Sequence, residues 1–221
     1  MTFQRARSPE QREIRRRAIL DTAAAMLEEM PVADVSLNEL SRRVGLAKSN
    51  VLRYFDSREG VLLELMDSVL RDWLAQLAGE LAAGVDPGLP LVPRAEQLSA
   101  VLARSLAGRR VLCELVGAQG GVLEHNVTAE VVRRHKRTVL AHLGVLADLL
   151  RRYVPELGAA AETSGFQTMV LAGALAPYSS PPPGVLAAYE AEPELAVLHR
   201  ELEDSLRLAI RTVLLGAVPR E

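Results

Sequence analysis

The sequence predicts an all-α protein in which a three-helix head, built as a helix-turn-helix, precedes a larger helical body. The helix-forming residues Leu, Ala, Glu and Arg dominate the 221 residues. No run of six residues alternates apolar and polar side chains, as a half-buried strand would require. Apolar side chains instead recur every three or four residues, in segments separated by clusters of Gly and Pro. We therefore expect helices throughout.

The composition narrows the class of protein. The chain is 49% hydrophobic and 24% charged, which is typical of a folded globular protein and not of a disordered one. No apolar run reaches the roughly 18 residues of a membrane-spanning helix, and the arginine-rich N-terminal segment lacks the apolar core of a secretory signal. Cys113 is the only cysteine, so no disulfide can form within the chain. These features favour the reducing cytoplasm and predict neither a cofactor nor a metal.

Charge is distributed unevenly along the chain, although the net charge is only −2. Residues 1–60 contain 11 Lys or Arg against 9 Asp or Glu, whereas the remainder contains 15 against 19. A basic end on an acidic body indicates a polyanionic partner at that end, or simply a solvated helix face.

Two capping patterns place the first helices. Ser8 caps and Pro9 begins the first helix, whose apolar stripe continues to a stop at Pro31. Ser36 begins a second capping box, with Glu39 three residues later, at the start of a short helix.

Turn chemistry places the next two helices. Gly45 ends the second helix near Val44, because glycine readily adopts the positive φ of a tight turn. A third short helix is expected over residues 47–55. Residues 56–57 then cap a long fourth helix over residues 58–83, with a continuous apolar stripe.

The rest of the chain is predicted to form a helical body. Residues 84–93 carry two Gly and three Pro and form a loop. A second break falls at 177–184, and a short helix is possible at 185–191. The other helices are expected at 94–107, 109–118, 126–153, 157–176 and 194–216.

The stretch over residues 36–58 carries the functional signal. Two short helices joined by a Gly-containing turn make a helix-turn-helix, whose second helix enters the major groove of DNA. Apolar side chains that can share one core with the first helix are Leu37, Leu40, Val44, Leu46, Val51 and Phe55. Polar side chains left outside are Arg42, Arg43, Lys48, Ser49, Asn50, Arg53 and Tyr54. Asn can pair with adenine, Arg with guanine, and Lys and Tyr suit phosphates.

This stretch resembles the DNA-binding segment of the tetracycline-repressor (TetR) family of bacterial regulators. The resemblance is carried by ELSRRVGLAKSNVLRYF, by the following FDSRE and by the preceding RRRAILDTAAAMLEE, within roughly residues 12–66. It implies a DNA-binding domain over residues 1–57 and a ligand-binding and dimerisation domain over residues 58–221. The residues predicted to contact DNA are Ser36, Arg43, Lys48, Ser49, Asn50, Arg53, Tyr54 and Arg58.

The sequence departs from the family pattern at three positions. Leu52 stands where many members have a Tyr that contacts phosphate, so the resemblance does not imply that contact here. Arg53 replaces a common His or Tyr, and Asn50 replaces a frequent Thr or Ala, which predicts a changed operator sequence. The family position of Arg58 usually holds a Lys or Arg that contacts phosphate, at the positive end of the fourth helix.

The helices at 157–176 and 194–216 carry wide apolar faces. They either complete the core of one chain or, as the resemblance implies, pack with the same helices of a second chain in a four-helix interface. A homodimer would present two reading helices roughly 34–36 Å apart to a palindromic operator on double-stranded DNA.

The resemblance also implies a small hydrophobic inducer, bound among the body helices, that moves the fourth helix. The candidate pocket residues are Met66, Trp73, Leu102, Cys113, His135, His142 and Phe166. Each of them has an alternative interpretation as ordinary core.

Two other classes of function stay open beside a ligand-responsive repressor. An all-helical enzyme is one, but the chain has no GxSxG, HExxH or phosphate-binding glycine loop. A protein-binding adaptor is the other, but its surface should carry apolar anchors where Lys48, Asn50 and Arg53 stand. His135 and His142 share a helix face without a third ligand, so no metal site is predicted.

Overall fold

The structure is a computed structural model that describes residues 9–219, and within this range the chain forms ten α-helices and no β-strand. The helices are α1 (Pro9–Glu29), α2 (Leu37–Val44), α3 (Lys48–Val51), α4 (Arg58–Gly84), α5 (Leu91–Ala107), α6 (Arg110–Ala118), α7 (Ala129–Tyr153), α8 (Ala160–Ser179), α9 (Pro183–Ala191) and α10 (Leu202–Ala217). Short 3₁₀ segments cover Val32–Asp34, Pro155–Leu157 and Pro193–Leu198, and Gln119–Leu123 forms a π-helical turn. The predicted all-α fold is confirmed. Among the described helices, none combines the length and apolar character needed to cross a membrane.

The chain divides into two compact units. The first comprises Met1–Val69 together with Ala118–Thr138. In this unit α2 packs against α1 and α3. The apolar core of the unit includes the buried side chains of Ile19, Met26, Leu27, Leu40, Val51, Leu62 and Met66. The predicted cap of α1, Ser8, lies outside the described residues.

The second unit comprises Leu70–Gly117 together with Val139–Glu221. Helix α10 packs against α5 and α8, and α5 also contacts α8. The side chains of Leu77, Leu98, Leu102, Leu146, Leu150, Leu206, Ile210 and Leu214 form its core. Trp73 is buried there and donates its indole N–H to Ser105 Oγ at 3.0 Å, which satisfies the polar atom of a large apolar side chain.

Helices α6 and α8 meet at a pair of glycines. A Cβ added to Gly173 would lie 2.6 Å from the backbone nitrogen of Gly117, and one added to Gly117 would lie 2.8 Å from the carbonyl oxygen of Gly173. Because neither helix carries a side chain at this point, the two backbones approach directly.

Several predicted helix bounds differ from the structure. Helix α5 begins at Leu91, before Pro93, because the first N–H groups of a helix need no intrahelical partner and tolerate proline. Helix α8 continues through Pro177 to Ser179, three residues beyond the predicted end. The prediction of one helix over 194–216 is wrong at its start, since α10 begins only at Leu202.

The reason for the late start of α10 is a change of backbone direction. The chain is extended at His199 and Glu201, where ψ is 125° and 129°. The preceding 3₁₀ segment, Pro193–Leu198, is exposed and has no core to pack against, so its apolar side chains cannot extend the buried stripe of α10.

Candidate nucleic-acid interface

The helix-turn-helix is built by a cap and a glycine turn. Ser36 Oγ accepts a hydrogen bond from the N–H of Glu39 at 3.1 Å, so the predicted N-cap of α2 is confirmed. At the other end Gly45 has φ 76° and ψ 30°, the left-handed conformation that favours glycine. The N–H of Leu46 donates to the carbonyl oxygen of Ser41 at 3.0 Å and closes the end of the helix. The chain therefore turns sharply into α3.

Helix α3 has one buried and one exposed side. Val51 is fully buried and Phe55 nearly so, and these two side chains hold the segment against the head. The helix is shorter than predicted and covers only Lys48–Val51, after which the N–H groups of Tyr54 and Phe55 donate to Val51 O at 2.9 and 3.1 Å. The exposed side carries Lys48, Ser49, Asn50, Leu52 and Arg53. One turn of helix thus presents a row of hydrogen-bonding side chains to solvent.

The two cations on this side are available to an outside partner. Among the described residues, neither Lys48 nor Arg53 forms an ion pair or a side-chain hydrogen bond. Tyr54 is half-buried at the edge of the same surface. Leu52 is 41% exposed beside Arg53, and sequence reasoning treated it only as a lost contact. An exposed apolar side chain on a reading helix can contact the methyl group of thymine.

Arg42 and Arg43 are engaged within the head. Glu39 accepts hydrogen bonds from Arg42 Nε at 2.8 Å and from Arg43 Nε at 2.8 Å. Arg43 also donates to Glu29 at 2.6 Å, which joins α2 to the end of α1. The hydrogen bonds from Arg42 and then Arg43 lower the pKa of Glu39 to about 2. Arg43 was predicted to contact DNA, and here it serves two carboxylates of its own chain.

The structure contradicts the predicted role of Arg58. It was predicted to face a DNA phosphate, but its guanidinium turns inward and donates to the carbonyl oxygens of Val35 and Val32. Its Nη1 also lies 3.1 Å from Glu59 Oε1. Val32 O already accepts the N–H of Val35 at 3.3 Å, whereas Val35 O lies in the loop before α2. The guanidinium at the start of α4 binds both carbonyl oxygens.

Arg16 on α1 is a residue that sequence reasoning missed. Its guanidinium pairs with both carboxylate oxygens of Glu64 on α4, and its Nη1 donates to the carbonyl oxygen of Tyr54 at 2.8 Å. The guanidinium carbon also lies 4.5 Å from the centre of the Phe55 ring. No sequence signal indicates this role, because the partners lie 38 and 48 residues away.

The predicted pocket residues fall in two units and differ in burial. Met66 and His135 belong to the first unit, and the other five belong to the second. All are buried except His142, which is half-buried, and Phe166. Phe166 is 54% exposed on α8, so its prediction as an inward-facing residue is wrong. Both sides of α8 carry apolar side chains, and the periodicity alone did not reveal which side is covered.

Two of the buried residues carry polar atoms with different surroundings. Burial raises the pKa of the Cys113 thiol to about 11, and its Sγ donates to Leu106 O at 3.4 Å. His135 is 2% exposed and places Nδ1 2.8 Å from Asp67 Oδ1. Over residues 9–219 no three His, Cys, Asp or Glu side chains converge as metal ligands would.

Both parts of the chain match known families. Residues 19–65 match the family described as "Bacterial regulatory proteins, tetR family". Residues 67–221 match the family described as "Tetracyclin repressor-like, C-terminal domain", and this match alone covers more than half of the chain.

Relatives of known function are regulators of the helix-turn-helix type. The transcriptional regulator EthR of Mycobacterium tuberculosis is 39% identical over 71 residues, which are 31% of this chain and 33% of EthR. The chain therefore spans about a third of the length of that relative. The transcriptional regulator BetI of Burkholderia ambifaria is 25% identical over 172 residues, covering 75% of this chain and 84% of BetI.

Solved structures share the fold along most of the chain. FadR of Thermus thermophilus, a repressor solved with lauroyl-CoA, has a TM-score of 0.57 at 20% identity and covers 93% of this chain and 96% of its own. FadR of Bacillus subtilis, solved with stearoyl-CoA, has a TM-score of 0.54 at 13% identity, with coverage of 90% and 97%. At these identities the likeness concerns the fold.

Proposed function

The chain belongs to the tetracycline-repressor (TetR) family of DNA-binding transcriptional regulators, and from that premise we propose that it is a homodimeric repressor, released from a palindromic operator by a small hydrophobic molecule. The proposed domains are a DNA-binding domain over residues 1–57 and a ligand-binding and dimerisation domain over residues 58–221. Because its target is chromosomal DNA, the proposed location is the cytoplasm.

The observation that carries the DNA-binding role is the exposed side of α3. Asn50 and Arg53 have the side chains that pair bidentately with adenine and guanine in the major groove, and Ser49 can bond to either base. Lys48 lies one turn before Leu52 and suits a phosphate, as does the half-buried Tyr54.

Other predicted contacts have supporting roles. Ser36 is exposed at the N-terminus of α2, where its hydroxyl already caps the helix. The guanidinium of Arg43 is bound to two carboxylates of its own chain. Its charge contributes to the electrostatic potential of the surface, but its N–H donors are not free to form a bidentate contact with DNA. Arg58 is proposed to shape the loop before α2, since its donors are directed to backbone carbonyls.

The proposed dimer interface rests on uncovered apolar surface in the second unit. Phe166, Val170, Ala174 and Tyr178 follow one another at four-residue spacing along α8, and all four are exposed. Leu208 on α10, a helix that packs against α8, is also exposed. A stripe of this kind on a soluble chain favours contact with another protein surface.

The proposed response to a small molecule rests on the buried candidate residues and on solved structures of the same fold. The buried candidates of the second unit are Trp73, Leu102 and Cys113, and these largely apolar side chains favour an apolar ligand. FadR proteins of the same fold were solved with acyl-CoA molecules, and this supports the proposal of an apolar ligand. A ligand releases the operator only if it binds the released state more tightly than the DNA-bound state.

The test is a binding titration against the DNA upstream of the gene that encodes the chain. We expect a complex at least about a thousandfold tighter than with shuffled DNA of the same length and composition, measured at one fixed salt concentration. Equal affinity for both DNAs, if it also held for other fragments of the genome, would contradict sequence-specific regulation. An all-helical enzyme or a protein adaptor would give that result.

A further inference from the structure

His135 carries a buried nitrogen that the protein does not satisfy. Its ring is 2% exposed on α7, and Nδ1 is paired with Asp67 Oδ1 on α4 at 2.8 Å. Nε2 is buried as well, and no group among the described residues forms a hydrogen bond with it. Leaving such an atom without a partner destabilises the folded chain. Buried polar atoms in native proteins are nearly always paired, so this exception points to a partner from outside the chain.

The Asp67 carboxylate determines which kind of partner Nε2 can take. A carboxylate accepts hydrogen bonds only, so Nδ1 carries the proton that faces it. In the neutral ring Nε2 then holds a lone pair and acts as an acceptor. The missing partner must therefore supply an O–H or N–H donor.

Glu124 interacts electrostatically with His135, but its carboxylate is held by other groups. Glu124, at the end of the π-helical turn, is engaged by Lys136 Nζ at 2.6 Å and by Gln119 Nε2 at 2.7 Å. Burial works to raise the pKa of Glu124, but these two hydrogen bonds outweigh it and the pKa is lowered. Leu63 and Met66 on α4 and Val131 on α7 are buried apolar side chains that precede the pair, and Leu123 is buried at the end of the π-helical turn. A π-helical turn is also a frequent mark of a functional site.

Asp67 lies on α4, the helix that Arg16 connects to the segment after α3. Asp67 follows Glu64 by three residues, so both carboxylates lie on one side of α4. Glu64 pairs with Arg16, and Arg16 donates to the carbonyl oxygen of Tyr54, directly after the exposed side of α3. A molecule that binds the His135 ring therefore acts on α4, the helix that carries both Asp67 and Glu64.

We propose that His135 Nε2 is the hydrogen-bond acceptor for the effector, and that the effector is an uncharged, mostly apolar molecule with an O–H or N–H donor. Asp67 is the positioning residue that holds the acceptor tautomer. This inference rests on the proposed ligand response and names the chemistry of that site.

The test compares two probes that differ only in a donor. Phenol carries an O–H, and anisole has the same ring with the O–H replaced by a methyl ether. In the unmodified full-length chain we expect the ¹⁵N spectrum to show His135 Nε2 as an unprotonated acceptor, and its resonance to shift with phenol but not with anisole. Equal effects of the two probes, no shift with either, or a protonated Nε2 in the neutral ring would overturn the proposal. A fixed water as the natural partner of Nε2 would give no shift with either probe.

Two variants and one control add a second readout. In His135→Phe, phenol should bind at least about tenfold more weakly and lose its advantage over anisole, because the acceptor is gone. His125 is an exposed histidine of the same unit, and His125→Phe should change neither the affinity for phenol nor the preference for phenol over anisole. In Asp67→Ala the proton should no longer be held on Nδ1 of His135. We expect this as a change of the ¹⁵N chemical shifts of His135 in the absence of any probe. Retained phenol preference in a folded His135→Phe chain would overturn the proposal.

The outcomes separate this inference from the proposed function. The probe measurements contain no DNA. A chain that distinguishes phenol from anisole through His135 but binds no operator would contradict the proposed regulation and not the chemistry of Nε2. A chain that binds its operator but treats both probes alike would contradict the His135 site alone.

Discussion

Arg16 Nη1 donates a hydrogen bond to the carbonyl oxygen of Tyr54 at 2.8 Å. The bond joins α1 to the segment that follows the reading helix, and the same guanidinium pairs with Glu64 on α4. One side chain on α1 therefore links this helix to α4 and to the segment after α3. Arg16 is outside the surface proposed to contact DNA, but it binds the segment directly after that surface.

The first prediction concerns this residue. Arg16→Met keeps the apolar stem but leaves the Glu64 carboxylate and the Tyr54 carbonyl without their donor. We expect the free energy of unfolding to fall by about 1–3 kcal/mol, and operator affinity to fall without a change in base preference. Urea unfolding and anisotropy titrations against single-base operator variants measure the two effects. Arg17→Met, at an exposed position of the same helix, is the control and should alter neither.

The second prediction separates base reading from general binding. Asn50→Ala and Arg53→Ala should each cost about 1–3 kcal/mol on the preferred operator and relax the preference at one base pair per half-site. The matched control is Asn38→Ala, an exposed asparagine on α2. Selection of bound sequences from a random DNA pool gives the preference of each variant. An unchanged preference in both reading variants would remove α3 from the reading surface.

The third prediction contrasts two cations that the sequence placed in the same role. Lys48→Ala should weaken binding to all DNAs and reduce the slope of log affinity against log salt by about 0.9 for each chain bound. Arg58→Ala should leave that slope unchanged. It should instead lower the free energy of unfolding by about 1–3 kcal/mol, because the Val32 and Val35 carbonyls lose the hydrogen bonds from the Arg58 guanidinium.

A reduced salt slope in a stably folded Arg58→Ala chain would contradict the structural role and support the phosphate contact that the family position implies. Titrations at four or more salt concentrations on the same operator decide between the two roles. The comparison is direct because both variants remove one positive charge from the head.

Local chemistry explains which features the sequence predicted well. Ser36 and Gly45 were predicted because a cap and a left-handed turn depend on residues within three or four positions. The contacts of Arg16 and Arg58 with backbone carbonyls were not predicted, because those carbonyls lie 23 or more residues away and only the folded chain brings them near. Phe166 was assigned to the wrong side of α8, since apolar side chains occur on both sides and only tertiary packing decides which is covered.

The fourth prediction tests the proposed dimer. Val170→Glu places a charge in the middle of the exposed stripe on α8, where a partner surface would have to bury it. We expect sedimentation at micromolar concentration to give a dimer for the unmodified chain and a monomer for this variant. Leu140→Glu changes an apolar residue that is 72% exposed on α7 and should stay dimeric. A Val170→Glu chain that remains a dimer would exclude this stripe from the interface.

The fifth prediction is a pH dependence of stability that originates at Glu39. Hydrogen bonds from Arg42 and Arg43 hold its pKa at about 2 in the folded chain, against the ordinary 4.5. A depressed pKa means that the unfolded chain binds the proton more readily, so the stabilisation is complete above about pH 4.5 and is lost as the pH falls towards 2. Glu39→Gln should therefore be less stable than the unmodified chain near neutral pH, and the difference should shrink across that acidic range.

Urea unfolding at fixed protein concentration, repeated between pH 6 and the lowest pH at which the chain stays folded, measures this difference. The matched background is the double variant Arg42→Met and Arg43→Met, in which the carboxylate has lost both donors. There Glu39→Gln should have a much smaller, nearly pH-independent effect. A stability difference that stays constant with pH in the unmodified background would show that the two arginines do not stabilise the ionised carboxylate. High salt should reduce the difference as well, because the cluster lies at the surface.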